Sequence, residues 1–300
     1  MYMSKPQKSM SKIKISVVIP TYHRNDLLAK CLDCLAPGTQ TLSAEQYEVI
    51  VTDDGYKTTA QEMIREDYPW VKWVAGPRKG PAANRNNGAG YAQGEWLVFT
   101  DDDCLPQANW LNTFAQATKG EALALEGAIH PLGDPEQDMA ECPINLSGGC
   151  FWSANIAIER SLFKKIGGFD ANYPIALHED VDIKERLYIF TTISFVPEAS
   201  VFHPVRLISL KSAISRLPKR CAATAYHLNK YRQAYYHQDV VGLTIFQFKY
   251  YLGDVRDGLR KRKFKFAYIS FLTLIIGVPI IVWYLRRTEH LVNQVQITES

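Results

Sequence analysis

Three groups of acidic residues are the side chains of this 300-residue chain best suited to do chemistry. The most prominent is Asp101-Asp102-Asp103, which directly follows the apolar residues 96–100. Adjacent carboxylates repel one another unless a cation or hydrogen-bond donors hold them. Mg²⁺ and Mn²⁺ prefer oxygen ligands and bind through one or two carboxylates together with substrate phosphates. The group therefore predicts a divalent-cation site that joins the protein to a diphosphate; a solvated turn in which one Asp caps a helix is the alternative.

The other two groups each have a functional and a structural interpretation. Asp53-Asp54 follows residues 47–52 and precedes Gly55, a sequence that is also typical of a turn. Glu179-Asp180 opens a charged stretch with helical character, where carboxylates in the first turn also complement the helix dipole. Residue type alone leaves both interpretations open.

The elements that must position these groups alternate between strands and helices. Short apolar runs predict four strands, and amphipathic stretches predict three helices between them. Such alternation indicates a mostly parallel α/β sheet, in which ligands gather at the carboxyl ends of the strands. From about Leu123 the pattern is less regular and predicts the second half of the same domain. The predicted strands are residues 15–19, 47–52, 71–75 and 96–100, and the predicted helices are residues 26–35, 58–66 and 82–92.

Charge divides the chain into two parts. Residues 1–210 contain 19 Lys and Arg against 26 Asp and Glu, and residues 211–300 contain 15 against 5, which gives net charges of −7 and +10. A basic, helical region after an acidic domain predicts an anionic membrane surface as its partner. We expect no nucleic-acid partner, because nucleic-acid binding would not explain the ordered acidic motifs.

An apolar segment within the basic region strengthens the membrane interpretation. Residues 266–285 carry no charge, and a helix of this length spans ~30 Å, the thickness of a bilayer core. Gly277 and Pro279 interrupt it, so a span, a re-entrant hairpin and a buried core helix all remain open. Residues 1–12 are expected to be disordered and lack the apolar stretch of a signal peptide, which places the catalytic domain on the cytoplasmic side. Cys31 and Cys34 lie among leucines at helical spacing and are expected to pack in the core.

Six sequence motifs occur in an order and spacing that resemble the inverting glycosyltransferases of family 2, which have the GT-A fold. The resemblance covers roughly residues 13–205, about two-thirds of the chain, and so implies a GT-A domain at 13–210 followed by a helical membrane-associated region at 211–300. The motifs are VVIPTYHR (17–24), EVIVTDDG (48–55), GPAANRNNG (80–88), FTDDD (99–103), GGFD (167–170) and EDVDIKERL (179–187).

The resemblance implies a role for each matching residue. In the nucleotide pocket it places Pro20, Thr21, Arg24, Asp53 (at the edge of the base) and Asp54, with Arg85 near the diphosphate.

In the acidic motif the resemblance makes Asp103 a metal ligand, Asp101 a ligand of the metal or the ribose, and Asp102 the variable middle residue on the donor side. It also implies that Asp180 is the general base, with Glu179 beside it, and that His203 completes the metal or diphosphate site. Gly148 and Gly149, followed by Phe151 and Trp152, would fall in the sugar pocket, although Trp152 is equally a core residue.

The implied activity is Mn²⁺- or Mg²⁺-dependent transfer of a sugar, with inversion, from a nucleotide-sugar donor (a UDP-sugar by resemblance) to a hydroxyl of a lipid-linked or surface glycan. One alternative is a sugar-1-phosphate nucleotidyltransferase, which would carry a glycine-rich loop and a Lys after its first strand, where this chain has residues 20–24, PTYHR. The other is a non-catalytic, membrane-tethered protein that binds nucleotide-sugars.

Overall fold

The computed structural model describes residues 13–232 and 239–297, with side chains up to residue 287. The predicted disorder of residues 1–12 lies outside this part of the chain. An α/β domain is followed by a group of helices from Leu210 onward. The strands are β1 (Ile15–Thr21), β2 (Tyr47–Asp53), β3 (Val71–Ala75), β4 (Trp96–Thr100), β5 (Leu105–Pro106), β6 (Ala124–Leu132), β7 (Ala140–Glu141), β8 (Asn155–Glu159), β9 (Ile193–Pro204) and β10 (Arg206–Leu207).

The main sheet has eight strands in the order β3-β2-β1-β4-β8-β6-β9-β5, and β7 and β10 form a separate antiparallel pair. The first four strands run parallel, as the alternating pattern predicts, whereas β8 is antiparallel to both β4 and β6. Both faces of β1 and β4 are buried, which is why these strands are mostly apolar rather than alternating. The sheet is therefore mostly parallel in its first half and mixed in its second half.

Six helices flank the sheet, and the helices predicted from the first half of the sequence all form. The second predicted helix begins three residues later than expected, because the Asp53 carboxylate accepts the backbone N–H groups of Gly55 and Ala60 and holds the intervening residues as a loop. Cys31 is fully buried in the core, as expected from its helical spacing, whereas Cys34 is only partly buried. The helices are α1 (Asn25–Leu35), α2 (Gln61–Asp67), α3 (Pro81–Gly90), α4 (Trp110–Ala117), α5 (Arg160–Lys165) and α6 (Glu179–Tyr188).

The C-terminal helices pack against one another and onto the α/β domain. Apolar side chains of α7 and α10, including Leu217, Leu228, Ile281 and Leu285, form a cluster of their own. The helices are α7 (Leu210–Tyr231), α8 (Val240–Arg260), α9 (Phe264–Leu272), a π-helical turn (Thr273–Gly277) and α10 (Val278–Ile297).

Several polar contacts join these helices to the α/β domain, among them contacts of α7 and of the start of α9. Lys230 of α7 forms ion pairs with Asp170 at 2.6 Å and with Asp182 at 2.5 Å. The Asp138 carboxylate accepts the N–H groups of Lys265 and Phe266 at 2.8 and 3.0 Å, which caps the start of α9. The apolar segment is therefore anchored at its first turn to a loop of the α/β domain.

Within the described residues, one continuous helical segment, Phe264–Arg287, is long and apolar enough to cross a membrane. Its side chains divide into two faces. Ala267, Leu274, Val278, Ile281 and Leu285 are buried against the neighbouring helices. The opposite face is exposed and contains Phe264, Tyr268, Phe271, Ile275, Ile276 and Trp283.

Candidate active site

The carboxyl ends of β1, β2 and β4 bring the predicted acidic residues to one edge of the sheet. Thr21 ends β1, Asp53 ends β2, and Asp101 follows β4 directly. The Thr21 hydroxyl donates to Asp102 Oδ2 at 2.7 Å, and the Thr21 carbonyl accepts the N–H of Asp54 at 3.0 Å. The juxtaposition expected from a parallel sheet is therefore present.

Asp53 and Asp54 are buried and hold the loops at this edge. Besides its two backbone contacts, Asp53 accepts a 3.3 Å hydrogen bond from the Trp73 indole. Asp54 accepts the N–H groups of Arg78 at 2.8 Å and Gly80 at 3.2 Å. Burial raises the pKa of Asp54 from its ordinary value, and these two N–H groups oppose that rise. The carboxylates thus shape the predicted nucleotide pocket through backbone N–H groups.

Two exposed aromatic rings stand beside these carboxylates, and the sequence motifs did not single them out. Tyr22 follows β1 and Tyr56 follows Gly55, with ring centroids 6.1 Å apart. Both rings are about half exposed. An exposed aromatic pair beside buried carboxylates offers a stacking surface to a planar base. Pro20 lies one residue inside β1, buried opposite Thr52.

Asp102 is fully buried and contacts the residues that the sequence assigned to the nucleotide pocket. Its carboxylate accepts hydrogen bonds from Thr21 and from Arg24 Nε at 3.1 Å, and Arg24 Nη2 is 2.5 Å from its other oxygen. Burial raises the pKa of Asp102 to about 6, and Arg24 opposes this rise. The middle residue of the motif therefore positions Arg24.

Arg85 is the buried cation at the centre of the site. It donates to Asp101 Oδ1 at 2.8 Å, and its Nη1 is 3.5 Å from Glu179 Oε1. Burial alone would lower the Arg85 pKa, but Asp101, Asp180 and Glu179 outweigh it and raise the pKa. Arg85 thus joins the acidic group after β4 to the start of α6, and its predicted place near a diphosphate stays a prediction.

Asp103 and His203 form a pair that fits a divalent cation. His203 Nε2 lies 3.4 Å from Asp103 Oδ1, and His203 Nδ1 lies 2.9 Å from the Pro204 carbonyl. A nitrogen that contacts a carbonyl must donate, so in the neutral ring Nε2 carries the lone pair. Burial lowers the pKa of His203, which favours this neutral form. Two acceptors then face each other, and Asp103 Oδ1 is buried without a hydrogen-bond partner.

A cation between these two atoms would supply what each lacks, so a carboxylate oxygen and an imidazole nitrogen here fit a divalent metal ion. Cys104 Sγ also lies near them, within 4.8 Å of both ligand atoms. Its thiol contacts the Ala154 carbonyl at 3.7 Å, and burial raises its pKa, which disfavours the thiolate that a metal would need. Asp103 Oδ2 contacts the Arg206 guanidinium, a partner that no sequence motif indicated.

Glu179 and Asp180 open α6 beside Arg85. Asp180 Oδ2 accepts the N–H of Ser153 at 3.1 Å, whereas Asp180 Oδ1 is buried with no hydrogen-bond partner. Burial raises the pKa of both carboxyl groups, and Arg85 opposes the rise. A carboxylate whose pKa is raised and whose oxygen is unpartnered is suited to accept a proton.

Glu126, another residue that the sequence motifs did not indicate, holds the predicted sugar loop. Its buried carboxylate accepts the N–H groups of Gly149 at 2.5 Å and Phe151 at 2.8 Å. Gly148 has φ +82° and leaves no room for a Cβ, which would lie 2.8 Å from Phe195. Phe151 is fully buried, and Trp152 packs on the core, so neither ring is mainly a sugar-stacking surface.

Comparisons with known proteins agree with this geometry. The model of the family "Glycosyl transferase family 2" matches residues 16–131. Validoxylamine A glucosyltransferase of Streptomyces hygroscopicus subsp. limoneus is 29% identical and aligns with 58% of this chain and 48% of its own. GalNAc(5)-diNAcBac-PP-undecaprenol beta-1,3-glucosyltransferase of Campylobacter jejuni is 30% identical over 40% of this chain and 38% of its own. This chain thus spans about half, or less, of the relatives' length.

The solved structure of S. aureus TarS 1-349 in complex with UDP has a TM-score of 0.54 at 17% identity, covering 94% of this chain and 92% of that chain. The same protein in complex with UDP-GlcNAc gives a TM-score of 0.55. At this identity the similarity concerns the fold, which is the GT-A fold expected from the sequence. The match to glycosyl transferase family 2 covers residues 16–131, whereas the similarity of fold extends over most of the chain.

Proposed function

We propose that the protein is a metal-dependent, inverting glycosyltransferase that uses a nucleotide-diphosphate sugar, with Asp180 as its general base. One observation carries the proposal. Arg85 contacts both Asp101 and Glu179, which directly precedes Asp180. Asp101 in turn neighbours Asp103, which with His203 forms the candidate cation site. A group that neutralises a leaving diphosphate therefore lies beside a group that accepts a proton.

The positions of these groups support the following proposed reaction. The acceptor hydroxyl oxygen attacks the anomeric carbon of the donor, and the bond from that carbon to the diphosphate oxygen breaks with its electron pair on the diphosphate. The hydroxyl proton passes to the unpartnered Oδ1 of Asp180. Arg85 stabilises the negative charge on the departing diphosphate. Attack on the side opposite the leaving group inverts the configuration.

Asp103 and His203 would hold the cation, with Asp101 as a further ligand or a contact of the ribose. When bound, the cation supplies charge stabilisation to the diphosphate oxygens. Arg206 and Arg24 keep the Asp103 side chain in place through its other oxygen. Tyr22 and Tyr56 would stack on the base, and the UDP complexes of TarS favour uridine.

We propose a lipid-linked or surface glycan as acceptor and the cytoplasmic face of a membrane as location. The printed name of the C. jejuni relative contains a diphospho-undecaprenol glycan, which supports this acceptor class. Segment 264–287 would attach to the surface by its exposed apolar face rather than cross the bilayer. Its buried face packs on α7, a helix that carries Lys211, Lys219 and Lys230 and is too charged to enter the hydrocarbon core.

The two alternatives are disfavoured by the site. A nucleotidyltransferase needs a lysine in a glycine-rich loop after β1, and that position contains Arg24, which is bound to Asp102. The buried carboxylate of Asp180 has one oxygen without a hydrogen-bond partner, and its pKa is raised. Sugar binding without catalysis does not require such a group.

The test is a panel of UDP-, GDP- and TDP-sugars, screened for stabilisation of the protein against thermal unfolding and for release of nucleoside diphosphate, with and without Mn²⁺. Asp180→Asn should retain donor binding and lose turnover by about 10²- to 10⁴-fold, as expected for a general base. Asp26→Asn, an exposed carboxylate on α1, is the matched control and should leave both unchanged. Turnover by Asp180→Asn at the wild-type rate would place the base elsewhere.

A further inference from the structure

A cavity of about 550 Å³ lies outside the site described above, between the α/β domain and helices α7, α8 and α9. The α/β domain contributes Glu141 and His178 to its wall, and α7 contributes Arg216 and Arg220. Aromatic and aliphatic side chains from α8 and α9, such as Phe246, Phe266 and Ile269, complete the lining. The volume suits a small organic ligand, and the wall is basic on one side and apolar on the other.

The basic side of the cavity can accept an anion. Arg216 and Arg220 are one helical turn apart, and both approach a single carboxylate, Glu141, at 3.6 and 3.9 Å. These separations exceed hydrogen-bond length, so an anion that makes shorter, charge-assisted contacts can compete with Glu141. The lining also contains a second carboxyl group, Asp254, whose pKa is raised by burial and then by Asp257.

The cavity is next to the proposed catalytic groups along two routes. His178, in its wall, directly precedes Glu179 and Asp180 in the chain. Glu141, also in its wall, pairs across the β7–β10 ladder with Arg206, whose guanidinium contacts Asp103.

The apolar side of the cavity is next to the exposed apolar face of segment 264–287. Phe266 and Ile269 line the cavity, while Tyr268 and Phe271, within the same turns of α9, are exposed. An amphiphile bound in the cavity would therefore lie next to the apolar face that is proposed to contact a membrane.

We propose that the cavity binds the phosphate-bearing part of a lipid-linked glycan acceptor. In this arrangement Arg216 and Arg220 bind the phosphate or diphosphate, the lipid chain leaves along Phe266 and Ile269 toward the membrane, and the glycan extends toward Asp180. The inference rests on the proposed glycosyltransferase function and names the acceptor class.

The test uses the full-length protein and neutral phosphatidylcholine vesicles that contain a polyprenyl phosphate, with binding measured by cosedimentation. The double variant Arg216→Gln/Arg220→Gln should bind these vesicles on the order of ten- to a hundredfold more weakly, because two charge-assisted contacts are lost. The matched control, Lys211→Gln/Lys219→Gln, removes the same charge from exposed positions of α7 that do not line the cavity and should change binding less than threefold. Ala213→Phe, which narrows the cavity and keeps every charge, should also weaken binding.

Three outcomes would overturn the inference. In the first, the Arg and Lys double variants weaken vesicle binding equally, and in the second, the wild type binds vesicles that contain phosphatidylglycerol as tightly as those that contain polyprenyl phosphate. In the third, inorganic phosphate at the same concentration as the polyprenyl phosphate abolishes vesicle binding. UDP binding, measured on the same preparations, separates this inference from the proposed function. Wild-type protein that binds UDP but not polyprenyl phosphate refutes the acceptor site alone, and protein that binds neither UDP nor any nucleotide-sugar refutes the function itself.

Discussion

At the scale of single residues, we predict metal dependence from Asp103 and His203. Asp103→Asn and His203→Gln should each weaken Mn²⁺ binding at least tenfold, since each replaces a ligand atom that faces the other at 3.4 Å. Isothermal titration with Mn²⁺ alone measures this. Cys104→Ala, beside both residues, serves as the control and should bind Mn²⁺ normally, because its thiol contacts the Ala154 carbonyl. Mn²⁺ affinity unchanged in Asp103→Asn would refute the assignment.

A second prediction concerns the contribution of Arg85 to the stability of the folded protein. Replacing it by Gln leaves Asp101 and Glu179 without their buried cation, so we expect a loss of about 3–5 kcal/mol in the free energy of unfolding. Denaturant titration measures the loss. Arg65→Gln on α2, whose exposed ion pairs contribute less than about 1 kcal/mol, is the control. Equal stabilities of the two variants would mean that Arg85 is not the centre of a coupled buried network.

Some residue roles in the site could be predicted from the sequence and others could not. The acidic motif and its strand-end position were predictable, because a buried apolar run fixes where a parallel strand ends. The role of Asp102 was not predictable, since its partners Thr21 and Arg24 lie about 80 residues earlier in the chain. Arg206 and Glu126 belong to no motif, and only the pairing of distant strands brings them to the site.

At the scale of elements, the docking of α7 on α6 makes stability depend on pH. The His178 and His227 rings stack at 4.7 Å in this interface. Burial lowers the pKa of His227 to about 4 and that of His178 to about 3. For His227, neighbouring Asp182 opposes the shift and Lys230 adds to it; for His178, His227 and Arg220 add to it.

In the folded protein both rings stay neutral down to about pH 4, whereas in the unfolded protein they gain a proton below about pH 6.5. Their contribution to stability is therefore fully present above pH 6.5 and is lost as the pH falls toward 4. At pH 5 the loss from His227 alone is about 2 kcal/mol relative to pH 7.5. Unfolding titrations of wild type and His227→Gln at the two pH values test this. The loss should shrink in His227→Gln and stay the same in the control His130→Gln on β6; an equal loss in all three proteins would contradict it.

The same interface shows what the alternation of elements could and could not predict. Periodicity located the strands β1 to β4 and the helices between them, because local patterns of burial determine each of these elements. The antiparallel entry of β8 and the docking of α7 depend on contacts between distant segments, such as Lys230 with Asp170 and Asp182. The basic composition of α7 suggested a membrane tether, whereas its contacts also make it a support of the start of α6.

At the scale of the whole molecule, we expect membrane attachment through the exposed apolar face of segment 264–287 together with the positive charge of residues 211–300. Phe271→Glu/Ile275→Glu should abolish sedimentation with anionic vesicles while leaving thermal stability unchanged, since both side chains are about half exposed. Leu132→Glu, at an equally exposed apolar position of the α/β domain, is the control. Retained binding in the double variant would favour a bilayer span or purely electrostatic attachment.

The anomeric configuration of the product is the best test of inverting transfer with Asp180 as the base. The purified protein is incubated with a UDP-α-sugar, Mn²⁺ and a glycan acceptor, and the anomeric configuration of the newly formed linkage is read by proton NMR. We expect a β-linked product from the wild type and its loss in Asp180→Asn. An α-linked product, formed with retention, would contradict it.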